Sequence, residues 1–91
     1  MTERRAYRVT GTVQGVGFRW WTRKMAQSLD LRGFVRNEED GSVLVRAEGG
    51  TADLDRLEEE LGVGPPAAAV RGVTREEPGE EELPAGFEIA R

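Results

Sequence analysis

The spacing of apolar residues changes abruptly near the N-terminus, and this change constrains the fold more than any other feature of the chain. Apolar and polar residues alternate from Tyr7 to Val13, as in a β-strand with one buried face. The segment Gln14–Gly17 then interrupts the alternation with two glycines, which indicates a turn. From Phe18 onward the apolar spacing is that of an amphipathic helix, which is predicted to end near Asp30.

The rest of the chain alternates between the two periods in the same way. A second strand, a hairpin turn and a third strand are predicted at Gly33–Asn37, Glu38–Gly41 and Ser42–Glu48. Thr51 is suited to cap a second helix, whose apolar stripe consists of Leu54, Leu57 and Leu61 and which Gly62 closes. The last predicted elements are a fourth strand, a solvated acidic loop and a short final strand, at Ala69–Thr74, Glu76–Pro84 and Phe87–Ile89.

The predicted order is β-α-β-β-α-β with a short extra strand at the C-terminus. Short connections in this order are typical of an α+β fold of the ferredoxin-like, split β-α-β type, with an antiparallel sheet and two helices on one face. A chain of 91 residues supports one modest core, so we expect residues 1–91 to form a single domain. Because this fold serves many functions, the function has to be argued from particular residues.

The chain contains neither cysteine nor histidine. This excludes disulfides, thiol nucleophiles, zinc sites built on sulfur and catalytic pairs that use an imidazole base. An enzyme of this composition would catalyse a reaction that needs little proton transfer, or would use a carboxylate for it. The chain has neither a Walker loop nor a Rossmann fingerprint, and we expect no cofactor.

The net charge of −4 argues against a nucleic-acid binder, which normally presents a basic surface. No apolar run reaches the ~18 residues of a membrane span, and the N-terminus lacks the apolar stretch of a signal peptide. We therefore expect a cytoplasmic protein that binds neither nucleic acid nor membrane, with a monomer as the simplest state. Basic residues are frequent between Arg4 and Arg46, which leaves room for an anion site in the first half.

The junction from Gly11 to Arg19 is the segment best suited to chemistry. A glycine-containing turn that leads into a helix directs backbone N–H groups and the positive end of the helix dipole at one point, where an anion binds readily. Arg19 lies in the first helical turn, where a positive charge is unfavourable unless an anion is present, and its guanidinium can grip a phosphate with two hydrogen bonds. The alternative is a plain tight turn in which Arg19 pairs with a surface carboxylate.

Asn37 is the only asparagine in the chain and lies at the end of the second predicted strand. Its amide is able to accept a hydrogen bond from water and to donate one to a phosphate oxygen. The alternative is structural, because asparagine is common at strand ends, where it tolerates the backbone angles of turns.

Two long segments, in this order, closely resemble both signatures of the acylphosphatase family: Gly11–Arg19 and Gly33–Val43. Ala69–Val73 and Gly86–Ile89 add to a resemblance that extends from about Tyr7 to Ile89. It implies the same ferredoxin-like fold and the hydrolysis, without a metal, of small acyl phosphates to a carboxylate and inorganic phosphate.

The resemblance also implies the roles of particular residues. Arg19 would bind the phosphate together with the backbone amides of the loop before it, and Asn37 would orient the attacking water. A phosphate or sulfate ion is therefore expected in this loop, which consists of Gln14, Gly15, Val16, Gly17, Phe18 and Arg19. Two other functions stay open, namely an acyl-phosphate-binding module without turnover and a nucleic-acid module on the same fold.

Overall fold

The computed structural model of the protein describes residues 2–91. These residues form two helices, α1 (Phe18–Ser28) and α2 (Thr51–Leu61). They also form five strands: β1 (Thr2–Thr12), β2 (Arg32–Asn37), β3 (Val43–Gly50), β4 (Ala69–Glu76) and β5 (Phe87–Ala90). The predicted order of elements and the ferredoxin-like α+β fold are confirmed.

The strands form one sheet in the order β4-β1-β3-β2-β5. The first four strands pair antiparallel, as predicted. The short last strand instead runs parallel to β2, so the complete sheet is mixed. Because β4 and β5 form opposite edges of the sheet, the chain between them has to cross it.

Both helices pack on one face of the sheet and cover the main core. The predicted stripe of α2 is buried there, with Leu54, Leu57 and Leu61 fully covered. Tyr7 and Val9 contribute the inward face of the first strand, as their alternation predicts, and Val13, just beyond the end of β1, is buried as well. Helix α1 adds a buried row: Phe18, Thr22 and Ala26.

Strand β1 begins at Thr2, well before the predicted start at Tyr7. The sequence prediction missed this part of the strand because its residues are mostly charged and show no apolar alternation. Arg5 nevertheless points inward and is buried. Its guanidinium donates hydrogen bonds to Glu3 and Asp55, each at 2.8 Å. The hydrogen bond that Arg5 donates to Glu3 raises the pKa of Arg5, as expected for a buried cation held by carboxylates.

The other face of the sheet is crossed by the chain between β4 and β5. Leu83 is buried against Phe34 and Leu44, and the guanidinium of Arg46 pairs with Glu81. The prediction of a fully solvated loop was therefore wrong for Leu83. Three basic side chains and an apolar anchor hold the acidic segment on the sheet, since Arg4 and Arg32 bind its carbonyl oxygens as well.

Two predicted boundaries also differ from the structure. Glu76 ends β4 and pairs with Arg8, which lowers the pKa of the Glu76 carboxyl. Thr51 is already inside α2, so Gly50 occupies the cap position and no side chain caps the helix. The Thr51 hydroxyl instead donates to a carboxylate oxygen of Glu3 at 3.2 Å. In both cases the residue bonds to a partner on β1, which the local sequence pattern does not reveal.

Gly11 lies at an irregularity in β1, where the register with β4 shifts. Its φ of 120° is unfavourable for residues with a side chain. A Cβ atom at Gly11 would also come within 2.2 Å of the Ala69 carbonyl oxygen. Strand β4 therefore lies so close to Gly11 that only glycine fits at this position.

We predict that Gly11→Ala lowers the free energy of unfolding by about 3 kcal/mol, because it combines backbone strain with a clash against β4. Urea denaturation measures this change. Gly86→Ala is the matched control, since a Cβ atom there meets nothing within 4 Å. Equal stabilities of the two variants would contradict the close approach at Gly11.

Candidate active site

The predicted anion-binding loop connects β1 to α1. Gly15 and Gly17 adopt φ values of 75° and 80°, in the left-handed region where glycine is favoured. Gly17 occupies the cap position of α1, and no side chain there bonds to the first amides of the helix. The turn therefore leads straight into a helix whose N-terminal amides are left for another acceptor.

The backbone amides of this loop have no acceptor within the described part of the chain. The first hydrogen bond of the junction runs from the Trp21 N–H to the Gly17 carbonyl oxygen, at 3.0 Å. Among residues 2–91, no backbone hydrogen bond uses an N–H group of residues 14–20 as donor. Unpaired donors at the positive end of a helix dipole form a favourable environment for an anion.

Arg19 is half-buried beside these amides. None of the ion pairs formed by residues 2–91 includes Arg19. The alternative interpretation, in which Arg19 pairs with a surface carboxylate, is therefore not found among these residues. Arg4, Arg8 and Arg46, in contrast, are each paired with a glutamate. The Arg19 guanidinium therefore keeps its full hydrogen-bonding capacity for a bound group.

A cavity of about 160 Å³ brings most of the predicted site residues together. Its lining consists of Val13, Gly15, Gly17, Phe18, Arg19, Trp20, Asn37 and Ile89. A wider opening of about 510 Å³ adjoins it and shares Arg19 and Asn37 with it, adding Ala90 and Arg91. No aspartate or glutamate lines either space, so the region is locally positive although the chain is acidic overall.

Asn37 is the last residue of β2 and pairs across the sheet with Val43. It alternates with buried Val35, so its side chain lies on the helix side of the sheet, as Arg19 does. The Oδ1 atom of Asn37 is buried and has no hydrogen-bond partner among the described residues. Because a buried amide oxygen without a partner is costly, Asn37 holds unused hydrogen-bonding capacity beside the cavity.

Gln14 and Val16, also predicted for the site, do not line the cavity with their side chains. The Gln14 amide nitrogen instead donates to the carbonyl oxygens of Glu38 and Ser42, at 2.8 and 2.9 Å. One side chain thus ties the loop to the turn that follows Asn37. No local pattern reveals this contact, because its two ends are far apart in the sequence.

Three apolar residues of the cavity lay outside the sequence prediction of the site. Val13 lies just after the end of β1, and the parallel pairing of β5 with β2 places Ile89 beside the cavity. Trp20 is 58% exposed, whereas Trp21 packs against the core and lies 5.6 Å from the Phe18 ring. Of the two adjacent tryptophans, Trp21 therefore belongs to the core and Trp20 borders the cavity.

Residues 2–91 contain no group of three or more acidic side chains placed to hold a metal ion. No helix among them has the length and apolar character needed to cross a lipid bilayer.

Comparisons with known proteins identify the family of this chain. The family profile described as acylphosphatase matches residues 5–89. A protein from Rhizobium meliloti named acylphosphatase is 49% identical over 84 residues, which cover 92% of this chain and 88% of the relative. The crystal structure of acylphosphatase from Bacillus subtilis matches all of both chains, with a TM-score of 0.90 and 33% identity. The structure of an acylphosphatase from Coxiella burnetii covers 98% of this chain and 93% of its own, with a TM-score of 0.89 and 38% identity. This chain therefore belongs to the acylphosphatase family of hydrolases.

Proposed function

We propose that the chain hydrolyses the carboxyl–phosphate bond of small acyl phosphates without a metal. In this reaction the oxygen of water forms a bond to phosphorus, and the bond from phosphorus to the bridging oxygen breaks, releasing a carboxylate and inorganic phosphate. One observation carries the proposal: Arg19 and Asn37 line one cavity together with the glycine loop. Among residues 2–91, Arg19 has no acidic partner, the loop amides have no backbone acceptor and the Asn37 Oδ1 atom has no hydrogen-bond partner.

Arg19 and the amides of residues 14–19 hold the phosphate in this proposal. The guanidinium supplies two parallel donors in a plane, and the amides add donors at the positive end of the α1 dipole. Phosphoryl transfer passes through a loose transition state with charge spread over the equatorial oxygens, so fixed donors around that group lower the barrier. The lack of acidic side chains in the lining supports this role, because none competes for Arg19.

Asn37 orients the attacking water. Its amide is able to accept a hydrogen bond from that water while it donates one to a phosphate oxygen. A phosphate oxygen of the substrate itself takes the proton of the water. The carboxylate is a weak base and leaves without a proton donor, so the reaction proceeds without a histidine or an acidic side chain in the cavity.

Gln14 positions these two parts relative to each other. Its two hydrogen bonds join the loop that contains the phosphate donors to the turn immediately after Asn37. Catalysis by positioning is sensitive to displacements of about 1 Å, which cost about a hundredfold in rate. We therefore assign Gln14 a positioning role, through its side chain, in addition to its backbone amide.

We predict that the purified chain hydrolyses benzoyl phosphate with and without a chelator, and that Arg19→Ala lowers kcat/KM by about a thousandfold or more. The same variant should lose binding of inorganic phosphate, measured by calorimetry, because one group serves both steps. Arg23→Ala is the matched control, since Arg23 is exposed on the same helix and also forms no ion pair with the described residues. Phosphate binding without turnover in the unmodified chain would indicate a binding module, and inactivation by chelator would indicate a metal.

Asn37→Ala is expected to lower kcat by about a hundred- to a thousandfold, the usual effect of removing one group that acts in the transition state. The Kd of inorganic phosphate should change little, because Arg19 and the loop amides remain. Steady-state kinetics and phosphate calorimetry on the same preparation separate the two quantities. An Asn37→Ala enzyme with full kcat would refute the water-orienting role.

Gln14→Ala should lower kcat by about ten- to a hundredfold and the free energy of unfolding by about 2 kcal/mol, since two hydrogen bonds are lost. Kinetics at a temperature where the variant is fully folded isolate the effect on kcat. Gln27→Ala, at an exposed position of α1, is the control. A less stable Gln14→Ala enzyme with unchanged kcat would mean that the contact only stabilises the fold.

A further inference from the structure

We propose that Trp20 forms a binding surface for the acyl group of the substrate, and that the enzyme therefore favours acyl phosphates with an aromatic or extended apolar acyl group. The inference rests on the proposed function, because it requires the phosphate to be held at Arg19. It adds the chemical class of the group that leaves.

The position of Trp20 is the first argument. It follows Arg19 directly in the first turn of α1, and both side chains line the same cavity. Val13, Phe18 and Ile89 complete an apolar wall there, while Arg19 and Asn37 supply the polar groups. The space therefore has a polar part suited to phosphate and an apolar part suited to a different chemical group.

The exposure of Trp20 is the second argument. Trp20 and Val63 are the only large apolar side chains that are clearly exposed in the described part of the chain. The neighbouring Trp21 already supplies an indole to the core, so the packing of α1 does not require Trp20. An exposed indole beside a cavity offers apolar area that a ligand can cover, and covering such area is favourable.

Lys24 orients this indole. Its ammonium group lies 4.7 Å from the centre of the Trp20 ring, one helical turn further along α1, in a cation–π contact. Lys24 itself does not line the cavity. The contact therefore restrains the indole from outside the cavity, and Trp20 is held in place before a substrate arrives.

The size of the acyl group decides how much of this surface is used. With its phosphate fixed at Arg19, an acetyl group is too small to cover an indole, whereas a benzoyl ring is large enough to cover it. The competing arrangement sends the acyl group toward Ala90 and Arg91 in the wider opening, away from Trp20. The two arrangements predict different effects of removing the indole.

The test compares benzoyl phosphate with acetyl phosphate in the unmodified enzyme and in Trp20→Ala. We expect the ratio of their kcat/KM values to fall about two- to tenfold in the variant, the range expected for one aromatic contact. Trp20→Phe should retain most of the preference, because it keeps an aromatic ring. Val63→Ala, which removes the other exposed apolar side chain, should leave the ratio unchanged.

A binding measurement separates this inference from the proposed function. Phenylphosphonate and methylphosphonate are not hydrolysed, and their Kd values report the apolar contact without turnover. Tighter binding of phenylphosphonate that disappears in Trp20→Ala supports the acyl surface even if the chain turns out not to hydrolyse acyl phosphates. An unchanged ratio in Trp20→Ala, or an equal loss for both ligands, overturns it.

Discussion

The pairing of β1 with β3 at the centre of the sheet is the constraint on which the site depends. Val9 pairs with Val43, and Val43 pairs in turn with Asn37 on β2. This row places the end of β1, where the glycine loop begins, at the same end of the sheet as the end of β2. A shift of β2 by one residue relative to β3 would turn the Asn37 side chain to the opposite face of the sheet, away from Arg19.

Although the net charge of the chain is −4, paired and unpaired basic side chains lie in different parts of the structure. Most arginines on the sheet are neutralised by carboxylates, as in the contacts of Arg5 with Glu3 and Asp55. The acidic segment between β4 and β5 belongs to this arrangement, because it is bound by Arg4, Arg32 and Arg46. Arg19 lies outside these pairs. The cavity therefore stays positive without a basic overall composition.

The elements of the fold were largely predictable because each one is encoded by a local period. Alternation identified the inward face of β1, and the leucine stripe identified the buried face of α2. The errors came where a distant partner changed the meaning of a residue. The charge of Arg5 suggests a solvated side chain, but Arg5 is buried and bonded to Glu3 on its own strand and to Asp55 of α2. Leu83 belongs to a segment that looks polar, but it covers Phe34 and Leu44.

The sequence by itself determined which groups are present at the loop: two glycines in a turn, the start of a helix and Arg19 in its first turn. These properties are local, since they depend on backbone angles and on neighbours within one turn. Only the tertiary structure decided that Asn37 faces this loop, that Gln14 ties the two together and that Ile89 and Trp20 complete the cavity. Such contacts join residues that are remote along the chain, and their geometry follows from strand order and register, which no local pattern contains.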